Sequence, residues 1–282
     1  MKMDLHCHTR MSDGSDSVWE VVALARARGL DAIAVTDHDT FAGLPAAFAA
    51  AAELSGISVI PGVEISCYDY ERKRKVHILS YRSDESVLRP ILRKTLESRS
   101  SAMRESLPVI LRACPMPAEM VSARAAGSQA VYKQHVMHAL IDAGYTDSLF
   151  GDLFRKLFDS KTGLAPTRTV YPDVRAVLEA TRAAGGITVM AHPGEYHSLE
   201  LLEELAAKNL LDGAELNHPK NTAADRKVIE GICLRYRKIM TGGTDFHGSY
   251  AGRQDPIGSF LAPESARILY EQKAGTLHET EL

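Results

Sequence analysis

Asp4-Leu5-His6-Cys7-His8 stands near the start of the chain, with Ser12-Asp13-Gly14 close behind. The run reads as a buried strand, yet it carries two imidazoles two residues apart, which strand alternation places on one face. Cys7, between them, is expected to face the other way. The pattern recurs in Thr36-Asp37-His38-Asp39, Gly62-Val63-Glu64-Ile65-Ser66, Val76-His77-Ile78-Leu79, Ala191-His192-Pro193 and Gly243-Thr244-Asp245-Phe246-His247-Gly248. Burying so many imidazoles and carboxylates unpaired would cost several kcal/mol each, on the order of a protein's whole stability. Divalent ions remove that penalty, and imidazole with carboxylate oxygen suits zinc, manganese or iron. The pattern implies a multinuclear metal site.

Working outward, short apolar runs alternate with helical patterns, which argues for parallel βα units. Seven strands are expected: Met3–His8, Ala32–His38, Val59–Ser66, Val76–Tyr81, Ile187–Pro193, Gly213–Pro219 and Ile239–His247. Nearly every motif falls at the carboxyl end of its strand, where parallel α/β barrels build their sites. Ser17 and Glu20 offer a capping box for the first helix, and Gly29 ends it. The third and fourth strands are joined by about ten residues, too few for a helical crossover, so an antiparallel excursion or irregular turn is expected there. The basic run in that turn, Glu71-Arg72-Lys73-Arg74-Lys75, reads as solvated. Between Ser83 and Ala165 the rhythm stops, and helical patterns near 86–112, 117–125, 131–143 and 147–159 suggest a helical insert.

Each motif has a bland counterpart. His77 and His192, taken singly, would be core histidines; in this company they read as ligands. Glu64 sits in an otherwise apolar strand and needs a buried partner, and its two oxygens suit it to bridge two cations. Asp245 and His247 repeat the spacing of His6 and His8, and Gly242 and Gly243 allow close backbone approach. Asp37 is read as a possible acceptor for a ligand imidazole, His38 as the better ligand, and Asp39 as a turn cap before Thr40. His138 reads as packing, His278 as part of a polar tail, and His197 and His218 fit the pocket wall or the surface equally.

Composition agrees with a soluble barrel. The chain has 282 residues, 45% of them hydrophobic, and a formal charge of -3, which gives no electrostatic footprint for nucleic acid or membrane. Cys7, Cys67, Cys114 and Cys233 lack CxxC spacing and suggest reduced thiols. No run is long enough to span a bilayer, so a cytoplasmic location is expected.

These motifs resemble the PHP superfamily, named for polymerase and histidinol phosphatase, over the barrel almost end to end. The resemblance implies an α/β fold: a distorted seven-stranded, TIM-like (β/α) barrel formed by residues 1–82 and 166–282, with residues 83–165 as a helical insert capping the active site. It implies a hydrolase acting on phosphoric esters with two or three divalent ions, Zn, Mn or Fe. The first ion would take His6, His8, Glu64 and Asp245. The second would share Glu64 and add His77 and His192, and the third would take Asp13, His38 and His247. Glu64, Asp13 and His38 form the expected catalytic set. Some members carry histidine in place of Asp13, and the harder aspartate favours manganese or iron there. The small-phosphoesterase branch often reads Arg-x-His before an insert helix. Here the segment is Lys133-Gln134-His135, which keeps the charge without bidentate geometry. Lys133, His135 and Arg168 are the expected substrate-binding residues.

The implied reaction is attack on phosphorus by a hydroxide bridging the first two ions. The implied substrate is a small phosphate ester such as a nucleoside bisphosphate or sugar phosphate. The alternative is a cyclic phosphodiester or short oligonucleotide cleaved by the same metals. A carbonyl-directed amidohydrolase lacks its mid-barrel lysine, and a non-catalytic metal-stabilised module sits poorly with a complete ligand set. Neither a membrane nor a stable nucleic-acid partner is expected, and the oligomeric state is left open.

Overall fold

The structure, a computed structural model, describes residues 1–252 and 255–271; His278 lies outside them. All seven expected strands form, several of them shorter than expected: β1 Met3–Cys7, β2 Ala32–Val35, β3 Ser58–Asp69, β4 Arg74–Tyr81, β5 Ile187–Met190, β6 Gly213–Asn217 and β7 Ile239–Gly242. They form one sheet in sequence order. The sheet closes on itself beyond β7: Asp245 N–H donates to His6 O at 2.9 Å, and His8 N–H to Phe246 O at 2.8 Å. The segment that carries two site residues is therefore also the seam of the barrel. His38, His192, Asp245 and His247 lie past their strand ends, on the loops of one rim.

Two departures from regular pairing shape that rim. β4 runs antiparallel to both β3 and β5, while the other neighbouring pairs are parallel. The tight connection after Asp69 forces this reversal. His77 consequently reaches the rim from near the start of β4, paired with Ser66, while β3 runs on past Glu64 to Asp69. The second departure is in β1, whose register on β2 skips between Asp4 and Cys7. Strict alternation would put Met3, Leu5 and Cys7 on one face. Instead Met3 and Leu5 join the barrel interior while Cys7 packs under the helices outside. Such an irregularity re-aims side chains, and here it brings His6 and His8 to the interior.

Outside the barrel, α1 (Val18–Ala27) and α2 (Leu44–Leu54) cover β1 and β2, while α7 (Val174–Ala183), α8 (Leu199–Ala207) and α9 (Ala223–Arg235) cover the later strands. The capping box of α1 forms as expected, Glu20 N–H donating to Ser17 Oγ and Ser17 N–H to Glu20 Oε2. Four helices come after β4: α3 Glu85–Ala113, α4 Ala118–Arg124, α5 Lys133–Asp142 and α6 Asp152–Phe158, matching the four expected patterns. They share an apolar cluster of their own, with Met103, Ile110, Val136, Met137, Leu140 and Leu157 at its centre. The connection runs back over the site rim, where Tyr68 N–H donates to Pro172 O at 2.9 Å.

Gly243 shows how tightly the seam is built. A Cβ there would overlap the Cβ and backbone of His6. Gly243→Ala should lower stability by about 1–3 kcal/mol, the usual cost of overpacking. A urea midpoint that falls at constant slope would show this; an unchanged midpoint would mean that the seam has room.

Candidate metal centre

Glu64 lies at the centre of the rim, almost fully buried on β3. Its Oε1 is 2.8 Å from His77 Nδ1 and 2.9 Å from His192 Nε2. Its Oε2 is 3.3 Å from His6 Nε2, 3.2 Å from His8 Nε2 and 3.0 Å from His38 Nδ1. Each oxygen thus addresses its own set of imidazoles. Asp245 Oδ1 completes the first set, 3.4 Å from His6 Nε2 and 3.1 Å from His8 Nε2. Asp13 collects a third set, with Oδ1 3.4 Å from His247 Nε2 and Oδ2 3.8 Å from His38 Nε2.

These atoms fit divalent metals. His6, His8, Glu64 and Asp245 offer ligand atoms within 4.8 Å of one another, as do His38, Glu64 and His77, and also His8, Asp13, His38 and His247. Hydrogen bonds set the tautomers. His6 Nδ1 faces the Glu215 carboxylate at 3.1 and 3.3 Å, which leaves a lone pair on Nε2 toward the cluster. His247 Nδ1 donates to Asp245 O at 2.8 Å and likewise presents Nε2. Metal-ligating histidines are usually held in this way. Although buried, His8 Nδ1 and Asp13 Oδ1 have no hydrogen-bond partner among the described residues.

Without metal, charge within the cluster falls on the imidazoles. Burial opposes ionisation of Glu64, but the imidazoles of His38, His77 and His6 outweigh it and hold the carboxyl well below its usual range. Burial likewise disfavours the His8 cation, yet Asp245 and Glu64 raise it to about 10. His192 is raised to about 9, chiefly by Glu64 and Glu195 against burial.

Several expected residues stand elsewhere. Asp37 does not hold an imidazole: it accepts from Thr9 N–H, Thr9 Oγ1 and Ser12 Oγ, pinning the turn that presents Asp13. Nor does Asp39 cap a turn before Thr40. It accepts from Ser66 N–H and from Arg99 Nη2, each at 2.9 Å. Of the three expected substrate contacts, only Lys133 lines the cavity above the cluster. His135 is buried, its Nδ1 accepting Tyr132 N–H at 3.1 Å to close the first turn of α5. Arg168 is exposed and is not part of the cavity wall.

Other site residues carried weaker sequence signals. Glu215 on β6 is fully buried and grips both His6 Nδ1 and the His192 N–H. It is a lone carboxylate in an apolar strand, the same signal that marks Glu64. His218 is buried with Nε2 3.4 Å from Asp245 Oδ2. Its Nδ1 accepts Lys220 N–H, so the proton sits on Nε2, facing Asp245. Arg99, on α3, enters the cavity and lies over the Tyr132 ring at 4.5 Å; nothing in its polar helical context separated it from a surface arginine.

A seven-stranded barrel with these three donor groups at one rim defines a metal-dependent phosphoesterase. The chain belongs to the PHP domain family, whose profile matches residues 4–152. It is 38% identical to a phosphoribosyl 1,2-cyclic phosphate 1,2-diphosphodiesterase of Eggerthella lenta, over 90% of this chain and 97% of that one. It is 31% identical to a 5'-3' exoribonuclease of Haemophilus influenzae, over 87% and 90%. Identity to a 3',5'-nucleoside bisphosphate phosphatase of Chromobacterium violaceum is 29%, over 90% of both. A Bifidobacterium adolescentis structure assigned as a metal-dependent phosphoesterase superposes with a TM-score of 0.85, at 29% identity over 95% of both chains.

Two outcomes are expected. Glu64→Ala should remove turnover and lower metal content at more than one site, because each of its oxygens serves a different donor set. Full metal content with a near-normal rate would reduce Glu64 to a structural role. Second, ligation needs the lone pairs that protons occupy in the metal-free protein. With His8 and His192 raised to about 10 and about 9, both are protonated at pH 7, so metal binding releases protons and tightens as pH rises. Calorimetric titration in buffers of different ionisation enthalpy should report net proton release on metal binding; heats independent of buffer would contradict this.

Proposed function

We propose that the chain hydrolyses a small phosphate ester carried on a pentose or nucleoside, with a pentose cyclic phosphate as the first substrate to test. The observation that carries this reading is the split carboxylate of Glu64 at the base of a cavity of about 1150 Å³, large enough to enclose a nucleotide-sized molecule. The likeness to the Eggerthella lenta enzyme, which extends over nearly its whole length, supports the cyclic ester, and the Chromobacterium violaceum relative supports a nucleoside bisphosphate.

The proposed ligands are His6, His8, Glu64 and Asp245 for one ion, Glu64, His77 and His192 for a second, and Asp13, His38 and His247 for a third. Bound zinc, manganese or iron would supply Lewis acidity and a more acidic water at neutral pH. The chain's own residues do the rest. Glu215 and the Asp245 carbonyl hold His6 and His247 in the ligating tautomer. Lys133, pushed down to about 8 by burial and by the nearby Lys75 and Arg99 cations, remains largely charged at pH 7 and offers a poorly solvated ammonium to substrate phosphate. Helices α3 to α6 form the proposed lid that selects the substrate.

A second reading, cleavage at the end of a short oligonucleotide, is favoured by one observation. Tyr68, Tyr70 and Tyr171 line the cavity and offer faces for base stacking. Neither reading requires a lasting nucleic-acid or membrane partner. Among the described residues no helix is long and apolar enough to cross a membrane. All four cysteines are buried and free, which supports a reducing, cytoplasmic setting.

Manganese-loaded protein should be assayed for phosphate release, ring opening and mononucleotide release on a panel of pentose 1,2-cyclic phosphate, nucleoside 3',5'-bisphosphate and a short 5'-phosphorylated oligonucleotide. The pentose cyclic phosphate should show the highest catalytic efficiency. Preference for the oligonucleotide would install the second reading, and no hydrolysis above a metal-only control would end both.

A further inference from the structure

The first turn of α5 reaches the donor cluster directly. Gln134 Nε2 donates to Asp13 Oδ2 at 2.7 Å. An anionic acceptor decides which end of the amide faces it, because only the NH₂ group can donate. The other oxygen, Oδ1, has no hydrogen-bond partner among the described residues and points between His247 Nε2 at 3.4 Å and His8 Nδ1 at 3.7 Å. The carboxylate is thereby divided, one oxygen tied to α5 and one left bare toward imidazoles.

Both ends of this tie are themselves held. The turn bearing Asp13 is pinned by Asp37 through Thr9 and Ser12. That fixes its backbone but not the rotation of its carboxylate, and Gln134 is the side chain that hydrogen-bonds the latter. On the other side, Tyr132 N–H donates to His135 Nδ1, and Tyr132 Oη donates to His38 O at 3.3 Å. The start of α5 is therefore docked onto the loop that carries another member of the same donor set. Lys133, one residue before Gln134, lines the cavity.

We propose that Gln134 is a positioning residue that makes Asp13 a one-oxygen ligand of the third metal site, so that occupancy of this site depends on how α5 is seated. The proposal rests on the assignment of Asp13, His38 and His247 to that site, and it is independent of the substrate. An aspartate without the tie would be free to turn, to present both oxygens or neither, and would hold its ion less well.

The test uses metal-stripped full-length protein titrated with Mn²⁺, free Mn²⁺ being followed by its paramagnetic resonance signal. Gln134→Met, nearly isosteric but without a donor, is compared with wild type, and Gln134→Ala serves as a second variant. Wild type should bind three ions. Each variant should weaken one site by roughly tenfold or more, in the range found when a group holding a ligand is removed. The other two sites should not move. Three unchanged sites in Gln134→Met would overturn the role of Gln134 alone. Saturation of wild type at two ions would overturn the third site and the proposal with it. Equal weakening of every site would show a general structural role and also overturn it. Hydrolysis is not the readout, so an error in the substrate leaves the result interpretable.

Discussion

The carboxylate of Glu64, buried among five imidazoles, is the constraint around which the rest is arranged. A lone anion at that depth would cost more than the fold can spare. The protein answers by bringing His6, His8, His38, His77 and His192 within 3.3 Å of its oxygens, from four different stretches of chain. Those stretches converge only if the sheet closes, and the sheet closes through the backbone at Asp245 and Phe246. Closure and site are thus one event: whatever loosens the seam disperses the donors, and whatever disperses the donors leaves charges without partners.

Behind the donors lies a second set of buried carboxylates whose work is done on the backbone. Asp4 accepts from Thr244 N–H, Thr244 Oγ1 and Gly258 N–H, fixing the loop after β7. Asp37 fixes the turn before α1, Asp39 fixes β3 against α3 through Arg99, and Glu215 fixes the loop after β5 through the His192 N–H. Each such acceptor satisfies donors that a loop leaving a strand would otherwise bury unpaired. This explains how His192 and Asp245, both at positive φ, are kept in backbone conformations that non-glycine residues adopt at a cost.

Alternation and apolar length made the strands legible, and the coincidence of His, Asp and Glu with strand ends made the donors legible, Glu64 most clearly of all. What stayed hidden has physical causes. The register skip in β1 leaves no compositional trace, since Met3, Leu5 and Cys7 look like one face whether or not the strand is regular. Glu215 carried the same signal as Glu64, but its partners, His6 Nδ1 and the His192 N–H, are distant in sequence and only the fold brings them to it. His135 shows the opposite failure: an imidazole at a helix start has one nitrogen able to cap the backbone, and that local bond prevailed over any distant ligand. Arg99 and Gln134 are polar residues on helices, and only the packing of the insert against the rim shows which polar residues point inward.

The reversal of β4 governs the length of the helical segment after it. Because β4 runs against its neighbours, the chain leaves it at Tyr81, on the side of the barrel remote from the site, and must climb back. Helix α3 makes that ascent: its 29 residues span about 44 Å, against about 26 Å for the eight residues of β4. The return is completed at the rim, where Asp173 bridges to Tyr68. The two attachment points of the helical segment therefore lie at opposite ends of the barrel. Such a segment cannot be shortened to a turn, as a loop joined at one edge could be; any replacement must still run the height of the wall, and α3 serves as a strut as well as a lid.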